Sequence, residues 1–322
     1  MKVFFENGRD SGHNVRGIGV HTTELLKALE KLKDKRLKIV KRKKAADIVH
    51  FTYFKPFEEA IFPLTKPVGQ KWILTIHDLI PLIYPSHYPP GIRGKLNYFN
   101  NVGKVKKSID EIITISETSK KDICRLLSFD PKKVHVVYLA PKKVFRKTKV
   151  TKNYKLPSKF ALYTGDVNYN KNIPNLIKAC KIAKIPLVIA GKHATEVEKM
   201  DTGHPELSHL RDVDFKDVVR YGYASDEEMN DLYNLAAVYI QPSLYEGFGL
   251  PAIEAVACGT PLVATKTQAL VEILGADLDY VDPNDPKDMA KGITNPNKNI
   301  KLPRVYTWEK TAKETLDVYA KI

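Results

Sequence analysis

The sequence predicts an α/β protein made of two consecutive doubly wound halves, each built on a mainly parallel sheet. Three observations carry this. Short β-rich apolar runs alternate with helical patterns along the whole chain. The length, 322 residues, suits two α/β domains better than one. The alternation is interrupted once, by a basic, proline-containing, weakly patterned stretch around 141–158, and then restarts. The chain therefore divides into residues 1–150 and 151–306, followed by a last helix over 307–322 that is expected to pack back on the first half.

In the first half the strands are KVFF (2–5), LKIV (37–40), DIVHF (47–51), WILTIH (72–77), EIITIS (111–116) and VHVVYL (134–139). Helices are expected over about 18–32, 93–107 and 117–127, the last opened by Ser116 as an N-cap. The second half begins with FALYTG (160–165), a helix over 173–183 and PLVIAG (186–191). It continues with VVRYGY (218–223), a helix over 226–236, AVYIQPS (237–243), a helix over about 251–258 and PLVAT (261–265). The segment TWEKTAKETLDVYAKI reads as an amphipathic helix capped by Thr307, with Trp308, Leu316 and Tyr319 on its apolar side.

Composition narrows the function classes. A hydrophobic fraction of 43% can fill a core in each half. The three cysteines, Cys124, Cys180 and Cys258, are far apart and not at metal spacing from histidines, which argues for a reducing compartment and against a disulfide framework or zinc site. The opening MKVFFENGRDSG reads as a first strand rather than a signal peptide, and no apolar run reaches membrane-span length. The expectation is a cytoplasmic protein, with peripheral contact to a membrane left open.

The net charge of +15 is unevenly placed. Residues 1–150 hold 31 Lys and Arg against 14 Asp and Glu, a net of +17, and 151–322 carry −2. Two clusters supply much of the excess, KLKDKRLKIVKRKK (31–44) and RGKLNYFNNVGKVKK (93–107). The second interleaves apolar and aromatic positions with its lysines, as an interfacial helix does. Either cluster alone is compatible with a solvated basic face. Confinement of the excess to one half points to an anionic partner: a phospholipid surface, a phosphorylated acceptor or nucleic acid.

The strongest chemical signal is QPSLYEGFGLPAIEAVACGTPLVAT (241–265). A buried strand delivers Pro242 and Ser243 to a loop containing Gly247 and Gly249, which enters a helix at Pro251. Backbone N–H groups of Phe248, Gly249 and Leu250 would then face an anion at the helix start. Glu246 and Glu254 bracket this point. Carboxylates repel a phosphate, so they make sense as acceptors for sugar hydroxyls; the alternative is a helix start with dipole-favoured acids. The segment EGFGLPAIE resembles the Glu-seven-residues-Glu signature of retaining GT-B glycosyltransferases (glycosyltransferase family 4, mannosyltransferase-like), and the likeness extends over most of the chain. The resemblance implies a GT-B fold, two Rossmann-like domains facing each other across a cleft, with the acceptor on the N-terminal domain and a nucleotide-sugar donor on the C-terminal one. It implies that Glu246 lies against the donor sugar and that Glu254 binds the ribose hydroxyls.

Three further segments add to this reading. In YTGDVNYNKNIPNLIKA (163–179) a strand ends at Gly165 and a polar loop precedes a helix, which places Lys171 to pair with a diphosphate or to sit solvated in the loop. It resembles the phosphate-binding Lys loop of the family, but Asp166 stands where many members carry Arg. In SGHNVRGIGVHTTELLKAL (11–29), Gly17 and Gly19 lead into a helix, and the resemblance makes this the glycine loop facing the donor phosphate. The dinucleotide fingerprint GxGxxG is not matched, which disfavours a nicotinamide cofactor. In WILTIHDLIPLIYP (72–85), His77 and Asp78 follow a buried strand, where α/β folds bind ligands. A strand-end His is structural as often as functional; the resemblance favours contact of His77 with the transferred sugar.

The acidic pairs Asp212/Asp214, Asp277/Asp279 and Asp282/Asp285 read as solvated turns, so no metal site is expected. No cofactor is expected beyond the donor substrate, with GDP-mannose weakly favoured. The acceptor is expected to be a glycan or lipid-linked molecule. A nucleic-acid-binding protein using the basic half, and an epimerase or phosphorylase of the same architecture, are the competing readings; no nucleic-acid module is recognisable.

Overall fold

The computed structural model describes residues 1–6, 17–63, 65–191 and 195–322. The chain forms two compact units: residues 1–85, 90–140 and 306–322, and residues 86–89 with 141–305. Residues 141–150, placed with the first half on sequence, belong to the second unit.

The first unit runs β1 (Lys2–Glu6), α1 (Gly17–Leu32), β2 (Lys38–Ile39), β3 (Ile48–Phe51), β4 (Lys71–Thr75), α2 (Ile80–Ile83), α3 (Gly91–Ser108), β5 (Glu111–Thr114), α4 (Glu117–Leu127) and β6 (Val134–Val136). Its strands pair in the order β2-β1-β3-β4-β5-β6, all parallel. Parallel strands buried on both faces need continuous apolar runs, and β3 and β4 supply them with Val49, Phe51, Trp72 and Leu74. Ser116 caps α4 by accepting from the Ser119 N–H at 2.9 Å.

The second unit runs β7 (Ala161–Thr164), α5 (Ile173–Ala183), β8 (Leu187–Ala190), β9 (Val218–Gly222), α6 (Asp226–Leu235), β10 (Val238–Gln241), α7 (Leu250–Cys258), β11 (Leu262–Ala264), α8 (Gln268–Leu274) and α9 (Pro286–Thr294). Its parallel order is β11-β10-β7-β8-β9. The chain starts at the centre with β7, winds outward through β8 and β9, then crosses back to place β10 on the other side of β7. The boundary between β7 and β10 is therefore a topological switch point. A last helix, α10 (Trp308–Tyr319), is capped by Thr307 and packs on α1 within the first unit, with Trp308, Leu316 and Tyr319 buried.

Three helices escape the sequence reading. α2 and α8 are four and seven residues long, too short to show a period, and α9 hides in a Pro- and Asp-rich segment. Asp285 is its N-cap, accepting from the Lys287 N–H at 2.8 Å. Gly17 and Gly19 lie inside the first turn of α1 rather than in a loop before it. Residues 7–16, which include the part of the expected glycine segment before Gly17, lie outside the described residues. Among the described residues no helix is long and apolar enough to cross a membrane.

Candidate active site

The loops that leave β7 and β10 at the switch point bring Lys171 and Glu246 together. Lys171 ends a single 3-10 turn over Tyr169–Lys171, and its Nζ lies 2.7 Å from Glu246 Oε1. The same oxygen accepts from Ser243 Oγ at 2.6 Å and Gln241 Nε2 at 2.8 Å. Glu246 is only 7% exposed, so this ring of donors replaces the water its carboxylate gives up. All three of these bonds fall on Oε1. The two loops are stitched by further bonds: Leu244 N–H to Asn170 O at 2.8 Å, Asn170 Nδ2 to Tyr245 O at 3.1 Å, and Asn172 Nδ2 to Pro242 O at 2.9 Å.

A buried polar chain connects Glu246 to Glu254. Gln241 Oε1 accepts from the Tyr239 hydroxyl at 2.8 Å, Tyr239 approaches Thr164 Oγ1 at 3.5 Å, and Thr164 lies 3.2 Å from the Tyr233 hydroxyl. Tyr233 donates to Glu254 Oε2 at 3.1 Å. Burial raises the Glu254 carboxyl to about 8, against the opposing hydrogen bond from Tyr233 and the charge of Lys142. Lys142 is itself held by Asp226, at 2.7 and 2.9 Å from its two oxygens. Burial likewise raises Tyr233 well above the usual tyrosine value. All of these hydroxyls therefore stay protonated and able to donate.

Between the two acids stands the start of α7. Gly249 is its N-cap with φ +88°, a conformation that favours glycine, and a Cβ there would come within 2.5 Å of Leu270 Cδ2. Pro251 falls in the first turn, Phe248 is buried and Leu250 opens the helix. Gly165 has φ +134°, and its carbonyl lies so close behind Gly191 that a Cβ there would sit 2.3 Å away. The strand-end glycines thus let two backbone segments run side by side at the C-terminal edge of the sheet.

In the first unit, His77 follows β4 and pairs with His21 of α1, Nε2 to Nδ1 at 2.8 Å. Trp308 stacks on His21, ring centroids 5.9 Å apart. Burial holds His77 down at about 4, and burial with the neighbouring His77 and His50 holds His21 well below its usual value. Two neutral rings share one proton in such a pair, one donating and one accepting. His50 bridges Tyr319 at 2.6 Å and Thr75 at 2.7 Å, tying α10 to the sheet. Asp78 accepts from the Ile80 N–H at 3.2 Å, the turn-forming role.

Sequence reasoning missed Gln241, Ser243, Thr164, Tyr233, Tyr239 and His21. Their one signal is a polar group at a strand end or on an otherwise buried run, which becomes informative only when the partner strand is known. Asp214 pairs with Lys181 at 2.9 Å and Asp282 accepts from Asn284 N–H at 2.8 Å, so these acids hold turns. Among the described residues no group of three or more His, Cys, Asp and Glu is placed to hold a metal ion.

Comparison with known proteins agrees across both units. Residues 145–307 match the family described as Glycosyl transferases group 1, and residues 33–140 match Glycosyltransferase Family 4. O-antigen chain mannosyltransferase B of Escherichia coli is 26% identical over 282 residues, 78% of this chain and 70% of that protein. O-antigen chain mannosyltransferase RfbU of Salmonella typhimurium is 28% identical over 239 residues, 72% of this chain and 62% of that protein. The chain spans less than two thirds of several such relatives, down to 32% of a serotype-specific mannosyltransferase of Escherichia coli. Sucrose-phosphate synthase from Thermosynechococcus elongatus superposes with a TM-score of 0.66 at 16% identity, over 99% of this chain and 98% of that one, a similarity of fold. The two parallel α/β units are those of the GT-B architecture, and the chain belongs to the Glycosyl transferases group 1 family.

Proposed function

We propose that this chain is a retaining, metal-independent hexosyltransferase that takes a nucleotide sugar on its second unit and passes the sugar to a glycan or lipid-linked acceptor bound by the first. The observation that carries this is the locked Lys171–Glu246 pair beside the start of α7, at the switch point of a parallel sheet. Cleavage of a sugar–phosphate bond builds negative charge on the departing diphosphate and positive charge at the anomeric carbon. Lys171 and the amides around Gly249 supply fixed positive ends for the diphosphate. Glu246 carries three donors on Oε1, and its Oε2 accepts from a hydroxyl of the donor sugar. Glu254 accepts from the ribose hydroxyls, and the glycine segment at Gly17 and Gly19 approaches the donor phosphate. His77, kept neutral, uses Nε2 on His21 and offers Nδ1 to the transferred sugar.

Attack from the face of the leaving phosphate, which can take the acceptor proton, gives retention without a protein nucleophile. The mannosyltransferase relatives make GDP-mannose the first donor to test. The epimerase, phosphorylase and nucleic-acid readings find no support among them. The basic first half suits an acceptor at an anionic membrane surface.

Glu246→Ala and Lys171→Ala should each cut transfer by about 100-fold or more with unchanged circular dichroism. Near-normal turnover in either variant refutes the site. NMR of the product anomer tests retention, since an inverted product rejects the front-face step. Activity abolished by chelator and restored by a divalent cation rejects metal independence.

A further inference from the structure

α3 packs one face on the core of the first unit, through Val105 with Tyr98 and Val102 beside it, yet keeps a second apolar stripe on its opposite face. Its inward positions are Gly94, Asn101, Val105 and Ser108, all buried. Asn101 fixes this orientation. Its Nδ2 donates to the carbonyls of Glu58 at 2.6 Å and Pro56 at 3.1 Å, and its Oδ1 accepts from the Ala60 N–H at 3.2 Å. Asn97 adds a bond to Phe57 O at 3.0 Å and Tyr98 one to Leu126 O at 3.0 Å. The opposite face carries Ile92, Leu96 and Phe99, exposed 83%, 66% and 71%. These positions are spaced by four and three, so they form one stripe along the helix. Among the described residues the other large exposed apolar side chains, Val68, Ile182, Tyr223, Leu235 and Val305, stand singly along the sequence.

The charges frame that stripe. At 100° per residue, Lys95 and Lys106 fall on one side of it and Lys107 and Arg93 on the other, all four exposed. No acidic residue occurs anywhere in α3. An apolar stripe bounded on both sides by lysine and arginine matches a surface that is apolar beneath a layer of negative charge. A second protein would need its own acidic rim around an apolar patch, and nucleic acid has no use for three aliphatic and aromatic side chains at the centre of the contact.

We propose that α3 lies in the plane of an anionic phospholipid bilayer, inserting Ile92, Leu96 and Phe99 below the headgroups while Arg93, Lys95, Lys106 and Lys107 engage the phosphates. This deepens the membrane reading of the basic first half, which by itself needs only surface charge. Insertion gives a salt-resistant component of binding; charge alone gives one that salt removes.

The test uses the full chain, without any sugar donor, and vesicles of phosphatidylcholine with or without phosphatidylglycerol. Expected is co-sedimentation that requires phosphatidylglycerol and persists in part at 0.5 M salt, about the level that screens surface charge. The Ile92→Ser/Leu96→Ser/Phe99→Ser variant should lose about tenfold or more in partitioning and all of the salt-resistant part. The Lys95→Glu/Lys106→Glu/Lys107→Glu variant should lose the lipid selectivity. Phe99→Trp should show a blue-shifted emission on adding the anionic vesicles. Equal binding by the triple-Ser variant, stripped by salt, overturns insertion and leaves the electrostatic reading standing. Absence of wild-type binding overturns both. Gel filtration showing a dimer that the triple-Ser variant abolishes also overturns insertion, because the stripe is then covered by a second copy.

Discussion

Replacing Glu254 with Gln isolates the charge that the second unit holds least comfortably. Burial pushes the carboxyl up to about 8 in the folded chain against an ordinary 4.5, with the Tyr233 hydroxyl bonded to it and Lys142 and Asp226 as its charged neighbours. Below pH 4.5 it is protonated whether or not the chain is folded. From there to about 8 the unfolded chain has lost the proton and the folded chain keeps it, so unfolding releases a proton and stability falls as pH rises. Above about 8 both states are ionised and the difference levels off. The ceiling on this loss is about 5 kcal/mol, at about 1.4 kcal/mol per pH unit. Glu254 keeps some solvent contact, and water shares the charge, so about 1–3 kcal/mol is expected. For a unit of this size that is a drop of several degrees in Tm.

Thermal unfolding of wild type and Glu254→Gln from pH 4.5 to 9.5 measures it directly. Gln has the same shape, still accepts from Tyr233 and cannot ionise. The wild-type Tm should fall relative to the variant across that window and then run parallel to it. Parallel curves throughout would refute the reasoning. A binding consequence follows from the same linkage. A ligand whose hydroxyls donate to the Glu254 carboxylate must drive off the proton, so calorimetry of nucleotide-sugar binding at pH 7 in buffers of different ionisation enthalpy should report proton release that Glu254→Gln abolishes.

Gly249→Ala should destabilise the second unit by about 1–3 kcal/mol, because it combines a positive φ with a 2.5 Å approach to Leu270 Cδ2. A denaturation midpoint equal to wild type would contradict that. In the first unit burial holds His50 at about 3 against an ordinary 6.5, so its neutral ring stabilises fully above pH 6.5 and that contribution is lost as pH falls toward 3. His50→Gln should therefore flatten the acid limb of a pH–stability curve by about one proton, and an unchanged limb would refute the assignment. Lys171→Ala should weaken donor binding more at low than at high ionic strength, since it removes a phosphate-directed charge. A salt-independent defect would point to a structural role.

The order of strands and helices was largely legible because it rests on local periodicity: runs such as WILTIH and LVIA cannot be solvated on either face, and Ser116 and Thr307 announce helices through their own hydroxyls. Gly249 and the spacing of Glu246 and Glu254 were legible for the same reason, since a glycine cap and a helix start are properties of a few adjacent residues. The helices at 268–274 and 286–294 were not, being too short or too broken by Pro and Asp for a period to emerge. The polar chain from Glu246 to Glu254 was invisible, because Thr164 meets Tyr233 and Tyr239 across 69 and 75 residues and only the return of β10 to the side of β7 makes them neighbours.

The sequence by itself determined the α/β class, most elements, the basic first half and the glycine–carboxylate motif, because each is encoded within a turn or two of chain. Only the tertiary structure decided that Lys171 and Glu246 form one ion pair, that His77 is held by His21 under Trp308, and that Ile92, Leu96 and Phe99 face outward. Those outcomes depend on which strand lies beside which and on how Asn101 anchors its helix, and such choices are settled by packing between residues far apart in the chain.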